Sequence, residues 1–180
     1  MTPATSPRTH RFISVDVLTT GYRIVGKTMI ANTGAIGMVN NSNSSFIEIH
    51  DARMARIHMP TKLANHYEVI RLAKERLYAI CLSREEDLGP QAIARGGYAK
   101  VVRHASFLTT QNYEMEGEIE WQGRFDFSVL MKEGTRNFIP LYDAKITGIL
   151  IPTLQIESPA VLFNRNQVDL FALLKQRHDE

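Results

Sequence analysis

Three histidines close to one aspartate are the first residues of the chain whose types suggest chemistry. His50, His58 and His66, together with Asp51, offer the nitrogen and oxygen ligands that Zn²⁺ binds. The sequence has no His-x-x-x-His pair or similarly tight spacing, and residues 142–158, the matching stretch of the second half, contain no histidine. We therefore expect hydrogen-bonded or solvated histidines, and predict no metal and no other cofactor.

Two aspartates occupy matching places in the two halves. Asp51 and Asp143 each follow an apolar stretch and precede an alanine. A pair of carboxylates could serve acid–base catalysis. An aspartate at the end of a strand also binds nearby backbone amides and fixes the exit turn, which both halves would need equally. The matched placement favours this structural role.

Residues 21–28 read GYRIVGKT, which completes the pattern of a phosphate-binding loop. Such a loop must follow a buried strand and open a helix, so that backbone amides meet the phosphate. The bulky residues between Gly21 and Gly26 are instead typical of a strand, and the matching stretch 112–119 has lost the lysine and the threonine. We predict that this match is accidental. No other nucleophile–base set is recognisable, so the sequence favours a non-enzymatic role and leaves an enzyme of unknown type as the third possibility.

Composition limits the remaining classes of protein. The 180 residues are 44% hydrophobic and 22% charged with a net charge of +2, which excludes a wholly disordered chain and allows one medium or two small domains. No apolar stretch approaches the roughly 20 residues that span a membrane, and residues 1–10 have no secretory pattern. Cys81 is the single cysteine, so we expect a cytoplasmic protein.

The sequence repeats itself once, with an offset of 90 to 93 residues. Residues 46–52 (FIEIHDA) recur as 138–144 (FIPLYDA), and residues 18–20 recur as 108–110 (LTT in both). Tyr22 and Gly26 recur as Tyr113 and Gly117. A period of this length is too long for a solenoid unit. It predicts two copies of one small domain.

The repeat also decides between two interpretations of residues 67–80, YEVIRLAKERLYAI. By propensity this stretch favours a helix, and a helix stays an alternative. The matching residues 161–174, VLFNRNQVDLFALL, have a turn at Asn-Arg-Asn between two short apolar strands. Because two copies should share a structure, we predict strand–turn–strand in both.

The predicted fold class is therefore all-β, with two tandem copies of a small barrel or sheet of about five strands. In layout such copies resemble Sm-like or SH3-like barrels. Residues 11–82 form the first repeat, 83–97 the linker and 98–174 the second repeat. Alternation at Val15 and Val17 indicates the first strand. Residues 31–45, rich in Gly, Asn and Ser, are predicted to be mostly loop.

This layout resembles the Sm-like fold, the five-stranded barrel of RNA-associated ring proteins. The resemblance rests on an alternating strand followed by a glycine pair, Gly21 and Gly26, which becomes Asn112 and Gly117 in the second copy. It also rests on the apolar stretch before the closing turn, residues 69–72 in the first copy and 161–164 in the second. The family's glycine after the closing arginine is absent here. Gly26 and Gly117, like Asp51 and Asp143, are interpreted as structural positions of the repeat. The tandem pattern also looks like a bacterial family with the same duplicated β domain, which carries no function over.

Charge differs between the copies. Residues 1–90 have a net charge of +3 and residues 91–180 a net charge of −1, with Glu114, Glu116, Glu118 and Glu120 alternating along one predicted strand. A basic copy could bind nucleic acid, opposite faces could dock head to tail, or both faces could simply be solvated.

We expect an interaction and assembly module, because small β domains expose edge strands that accept a partner strand. Self-association or another protein is the expected partnership. RNA or single-stranded nucleic acid is the alternative, which the Sm-like resemblance implies for the basic copy. Its candidate binding residues lie at the predicted closing turns: Arg71, Lys74, Arg76 and Arg165.

Overall fold

The computed structural model describes residues 9–90, 100–132, 134 and 136–175. We call residues 9–90 the first half and residues 100–175 the second half. The strands of the first half are β1 (Arg11–Leu18), β2 (Tyr22–Ile30), β3 (Phe46–Arg56), β4 (Leu63–Ala73) and β5 (Ala79–Leu82). The strands of the second half are β6 (Val101–Thr110), β7 (Tyr113–Gln122), β8 (Phe138–Gly148), β9 (Gln155–Asn164) and β10 (Val168–Leu173).

All ten strands belong to one antiparallel sheet. Their order is β10-β6-β7-β8-β9-β5-β1-β2-β3-β4. Each half contributes a four-stranded meander, and its fifth strand returns to pair with its first strand. The predicted all-β class is confirmed. The two halves also follow the same order of strands and the same order of pairing.

The sequence predicts two separate five-stranded units, whereas the structure has one continuous sheet. The reason is the second edge of β5, which pairs with β9 of the other half. Of the predicted linker, residues 83–90 include a short 3₁₀ turn at Glu85–Leu88, and residues 91–97 lie outside the described residues.

The strand–turn–strand prediction for residues 67–80 and 161–174 is confirmed. In both places two strands flank a one-turn 3₁₀ helix, Lys74–Arg76 in the first half and Arg165–Gln167 in the second. The loop prediction for residues 31–45 is wrong in part, because Gly34–Asn40 form helix α1. Ala35, Ile36 and Val39 of this helix are buried, and that burial stabilises a helix that its Gly-rich and Asn-rich sequence disfavours. Helix α2 (Phe127–Lys132) lies at the matching place in the second half.

Two hydrophobic cores lie along the sheet, and neither is built from one half alone. The first core consists mainly of first-half residues but includes Phe138, Tyr142, Ala160 and Leu162. The second core likewise includes Leu18, Tyr78, Ala79 and Cys81 of the first half. Burial of apolar side chains is the main favourable term in folding, so each half contributes to the stability of the other.

Among the residues that the structure describes, no helix is long and apolar enough to cross a membrane.

Candidate functional site

The centre of the sheet, which we call the middle junction, is formed where β5 of the first half meets β9 of the second. Four residue pairs align antiparallel across it: Ala79 with Phe163, Ile80 with Leu162, Cys81 with Val161, and Leu82 with Ala160. All eight residues are buried. Burial on both faces makes this pairing as much a part of the interior as any strand pair within a half.

Side-chain hydrogen bonds continue the junction beyond the strands. Asn164 donates from Nδ2 to the Leu77 carbonyl at 2.9 Å, and Ser158 donates from Oγ to the Leu82 carbonyl at 2.8 Å. The Tyr113 hydroxyl donates to the Thr19 carbonyl at 2.6 Å. Each of these groups thus has a hydrogen-bond partner in the other half, and such partners stabilise polar groups in the interior.

Helix α1 of the first half also contacts the second half, through hydrogen bonds to β8. The side-chain amide of Asn40 donates to the Phe138 carbonyl at 3.0 Å and accepts from the Phe138 amide at 2.9 Å. The outward face of β8 and β9 is thereby packed against the first core. Phe138, Tyr142 and Ala160 are the apolar residues that fill this contact.

The β4 end of the sheet presents the equivalent face, and within the described part of the chain no further strand pairs with β4 beyond β3. By strand register, Tyr22, Phe46, Tyr67 and Val69 match Tyr113, Phe138, Ser158 and Ala160 of the second half. The first four are 39, 51, 42 and 37% exposed, and their counterparts are 0, 2, 7 and 0% exposed. The difference comes from position in the sheet, because β9 has a second neighbour and β4 is the last strand.

The β10 end of the sheet also has exposed apolar residues. Leu170, Leu173 and Leu174 are exposed large apolar residues, and so is Phe127 of α2. Phe171 stacks on Phe125 with a centroid distance of 5.7 Å, and both remain only partly buried. Ile80 and Leu82 of β5, which match Phe171 and Leu173 by register, are fully covered at the middle junction. We call these two surfaces the β4 end and the β10 end.

Gly26 and Gly117, two of the predicted structural positions, lie where β2 and β7 approach their neighbours most closely. A Cβ built on Gly26 would lie 2.6 Å from Ile49 Cγ2 and 2.7 Å from the His50 carbonyl oxygen. A Cβ on Gly117 would lie 2.7 Å from both Leu141 Cγ and the Tyr142 carbonyl oxygen. Only glycine fits at either position.

Asp51 and Asp143 lie opposite these glycines. Their φ angles of 49° and 46° are left-handed, a conformation that aspartate tolerates better than most residues. The strand pairing shifts by one residue at both places, as at a β-bulge. The expectation that both lie at strand ends is wrong, since each lies within its strand, β3 or β8.

The histidine–aspartate cluster forms one pair. His66 Nε2 lies 2.5 Å from Asp51 Oδ1 on the exposed surface, and this hydrogen bond lowers the pKa of Asp51. His50 lies 3.7 Å from Glu48 and meets the Phe12 ring edge-on. Within the described ranges no three His, Cys, Asp or Glu side chains stand close enough to hold a metal ion.

The other candidates for catalysis also have structural places. The Cys81 thiol is buried, and burial raises its pKa, which suppresses the reactive thiolate. Lys27 and Thr28 of the phosphate-loop match lie within β2, where Thr28 is buried and donates to the Glu48 carbonyl at 2.8 Å. The prediction that this stretch continues as a strand instead of opening a helix is confirmed.

The four candidate nucleic-acid residues divide into two pairs. Arg71 and Arg76 are exposed, and Arg71 makes a 3.0 Å ion pair with Glu48. Lys74 and Arg165 are buried. Lys74 donates to the Met38 and Asn41 carbonyls at the end of α1, at 3.0 and 2.8 Å.

Arg165 does the same work in the second half, donating to the Leu130 and Gly134 carbonyls at 3.2 and 3.0 Å. The last carbonyls of a helix have no partner within the helix, so a cation at this place stabilises the helix end. The basic residue that follows β4 in one half and β9 in the other therefore has a structural role, which is to stabilise the end of a helix.

A cavity of about 430 Å³ opens where these turns meet the middle junction. Asparagines and serines are the commonest residue types in its lining, which also includes Val39, Phe46 and Phe138. The polar lining residues are Asn40, Asn41, Ser42, Ser44, Ser45, Lys74, Glu75, Asn137, Asn164 and Asn166.

The acidic stripe predicted from Glu114, Glu116, Glu118 and Glu120 lies on the outward face of β7. Arg103 of β6 reaches it, with a 3.2 Å contact to Glu120, and lies over the Tyr142 ring at 4.2 Å. Part of this stripe is thus neutralised within the chain.

Sequence reasoning expected exposed edge strands but did not locate the residues that lie exposed at the two ends of the sheet. The signal was present in the paired positions: Tyr67 and Val69 are larger and more apolar than their buried counterparts Ser158 and Ala160. Contiguous exposed apolar residues are typical of interaction surfaces, whereas single ones are ordinary. The comparison needs the strand register, which the sequence alone leaves open.

Comparison with models of protein families, with curated proteins and with solved structures found no match to this chain.

Proposed function

We propose that the protein is a non-enzymatic interaction and assembly module whose binding surfaces are the two ends of its ten-stranded sheet. The observation that carries the proposal is the exposure of Tyr22, Phe46, Tyr67 and Val69, whose counterparts at the middle junction are buried. Exposed apolar residues along an unpaired strand form a surface suited to a partner strand.

The matching order of strands in the two halves supports a second part of the proposal, that the chain is a tandem duplication of one Sm-like domain. Each half orders its strands with the fifth beside the first. The glycine and left-handed aspartate of the bulge occur at the same place in both. In this arrangement the middle junction is the contact between two domains.

Photo-crosslinking in living cells tests the function. Benzoylphenylalanine replaces Tyr67 of the β4 end, Leu170 of the β10 end or, as the control, Leu150, which is 83% exposed in the β8–β9 connection. We expect protein adducts at Tyr67 and Leu170 in clear excess over Leu150, identified by mass spectrometry. Equal adduct yields at all three positions would show that the ends are ordinary surface and would overturn the proposal.

Nucleic-acid binding remains the alternative function, and one observation favours it. Arg71 and Arg76 are exposed on either side of the turn that lines the amide-rich cavity. Amide groups can bind the edges of unpaired bases, and arginines can neutralise the phosphates between them.

Fluorescence anisotropy with labelled single-stranded RNA, at low and at physiological salt, tests this alternative. Binding through Arg71 and Arg76 should weaken steeply as salt rises and should be lost in the Arg71→Ala/Arg76→Ala double variant. The matched control is Arg124→Ala in the second half. Absence of salt-sensitive binding at low ionic strength would eliminate the alternative.

A further inference from the structure

We propose that the outward face of β1, β2 and β3 in one copy of this chain docks on the acidic stripe of a second copy. We call the first surface the β2 face, and it consists of three exposed apolar residues and two exposed basic residues: Phe12, Val25, Met29, Lys27 and Arg53. Its strands lie inside the sheet order and not at either end. The inference therefore adds a third interaction surface to the proposed function and does not depend on it.

The exposed apolar residues of the β2 face do not result from an open strand edge. β1 and β2 each have a neighbour on both sides in the sheet. Phe12, Val25 and Met29 are nevertheless 48, 42 and 44% exposed, and Phe12 lies directly opposite Met29. Residues that alternate with them, such as Ile13 and Ile24, are buried in the first core. The β2 face is thus an outward surface, and the core does not require it to be apolar.

The second half forms the same fold with charged residues at these three positions. The counterparts of the apolar residues are, in chain order, Arg103, Glu116 and Glu120. Charged side chains are the usual content of a solvated surface. Because the fold forms with charges there, it does not explain the apolar residues of the β2 face. Neighbouring exposed apolar residues are instead typical of an interaction surface.

The β2 face also has an excess of positive charge. Lys27 follows Val25 on the same side of β2, and Arg53 of β3 lies opposite Val25. Within the described part of the chain neither basic residue forms an ion pair. The hydrogen bond with His66 and the nearby charges of Arg53 and Lys27 lower the pKa of Asp51, but one carboxylate cannot balance two cations. The other acidic residues on this side of the sheet are each paired with a further arginine, Asp16 with Arg23 and Glu48 with Arg71.

The acidic stripe has the opposite excess of charge. Arg103 neutralises one part of it, whereas Glu114 and Glu116 are exposed and form no ion pair with the residues that the structure describes, although Lys145 lies on the strand beside Glu116. Phe107 of β6 lies opposite Glu116 and is only partly buried. The stripe therefore offers negative charge beside apolar surface, as the β2 face offers positive charge beside apolar surface.

The unpaired charges of the two surfaces have nearly the same spacing. Lys27 and Arg53 are diagonal neighbours on adjacent antiparallel strands, a relation with a separation of about 7–8 Å. Glu114 and Glu116 lie two residues apart on one strand, which is about 7 Å. Two ion pairs can therefore form at once when a β2 face meets an acidic stripe. The contact would also remove apolar side chains from water, and the free energy gained rises with the area buried.

The contact requires a second copy of the chain. In the sheet order β2 and β7 are separated by four strands, β1, β5, β9 and β8, and side chains of one strand cannot reach across that span. Each copy carries one β2 face and one acidic stripe. The contact can therefore be repeated from copy to copy, and complementary charge favours it over contacts between two like surfaces.

Charge reversal with rescue tests the docking. One variant carries Lys27→Glu and Arg53→Glu, so that both of its surfaces are acidic, and the other carries Glu114→Lys and Glu116→Lys, so that both are basic. We expect the wild type to self-associate in light scattering after size exclusion. Each variant alone should lose at least about tenfold in affinity, because like charges then face each other. An equimolar mixture of the two variants should associate again, which a misfolded variant could not do.

The matched control changes the same amount of charge elsewhere in the first half. Lys62 and Arg76 are exposed basic residues outside the β2 face, and the Lys62→Glu/Arg76→Glu variant should associate like the wild type. The Phe12→Ser/Met29→Ser variant should associate more weakly than the wild type while its thermal stability stays the same, because both side chains are exposed. Association of the wild type should weaken as salt is added.

Three results would overturn this inference. The first is a wild-type mass of 20.4 kDa at every attainable concentration, and the second is association of both reversal variants with wild-type affinity. The third is failure of their mixture to associate although each variant alone is folded. If photo-crosslinking at Tyr67 and Leu170 still captures protein in any of these cases, the proposed function stands and only the docking of the β2 face is wrong.

Discussion

The middle junction and the two ends of the sheet are made of equivalent strands, yet one is buried and the others are open. β9 and β4 follow the same fold with the same bulge before them, and they differ in whether another strand lies alongside. The buried copy uses small residues, Ser158 and Ala160, where the open copy has Tyr67 and Val69. The comparison shows that the burial of equivalent positions in this molecule depends on whether their strand has a second neighbour in the sheet.

The largest expected difference between the junction and the ends is in tolerance of charge. Ala160→Asp places an unpaired carboxylate in the fully buried junction, and we expect it to lower the free energy of unfolding by at least about 3 kcal/mol. Val69→Asp at the matching position of the β4 end should cost about 1 kcal/mol or less in the dilute single chain. Urea denaturation at low protein concentration measures both. Equal losses would mean that the β4 end is as much a part of the interior as the junction.

A second comparison concerns the two bulges. Gly26→Ala and Gly117→Ala should each lower the free energy of unfolding by about 1–3 kcal/mol, because the added methyl group meets backbone and packed side chains. The two losses should be similar, since the surroundings of the two glycines are nearly the same. Gly21→Ala is the control, because a Cβ there meets nothing within 4 Å. A large loss in one half only would show that the two bulges are not equivalent.

Patterns that lie within one strand or one turn could be predicted from the sequence. The alternation in β1, the turns at residues 74–76 and 165–167, and the strand character of the Gly21–Thr28 match all depend on local propensity and on agreement between the copies. The strand–turn–strand predictions succeeded because Asn-Arg-Asn in one half outweighed the helical composition of the other, although the two strands of each unit pair with other strands rather than with each other. The loop prediction for residues 31–45 was wrong because contacts distant in sequence, such as Asn40 with Phe138, stabilise a helix in a stretch of poor helix propensity.

The joining of the two halves into one sheet could not be predicted from the sequence. Nothing in the residues of β5 shows that both of its edges are paired, although its four residues are all apolar, as expected for a strand buried on both faces. The candidate basic residues illustrate the same limit. The exposed Arg71 and Arg76 and the buried Lys74 lie close together in sequence. The sequence does not show which of these side chains points to solvent and which to a helix end.

The smallest expected effect separates Lys74 from Arg165, which cap their helices in the same way. Burial lowers the pKa of the Lys74 amine from its ordinary value of 10.5, whereas arginine keeps its charge throughout. Between the lowered pKa and 10.5 the unfolded chain binds the Lys74 proton more tightly than the folded chain, so stability rises with pH in this window. The cost of burying the charge is complete below the lowered pKa and is gone above 10.5.

The Lys74→Arg variant isolates this effect, because every other titrating group is common to both proteins. We expect the free energy of unfolding of the wild type, minus that of Lys74→Arg, to increase from neutral pH towards 10.5 in chemical denaturation at a series of pH values. Arg165→Lys should introduce the same slope at the matching position of the second half. A difference that falls with pH would mean that the Met38 and Asn41 carbonyls stabilise the ammonium by more than burial costs. The two helix caps would then be electrostatically alike despite their different side chains.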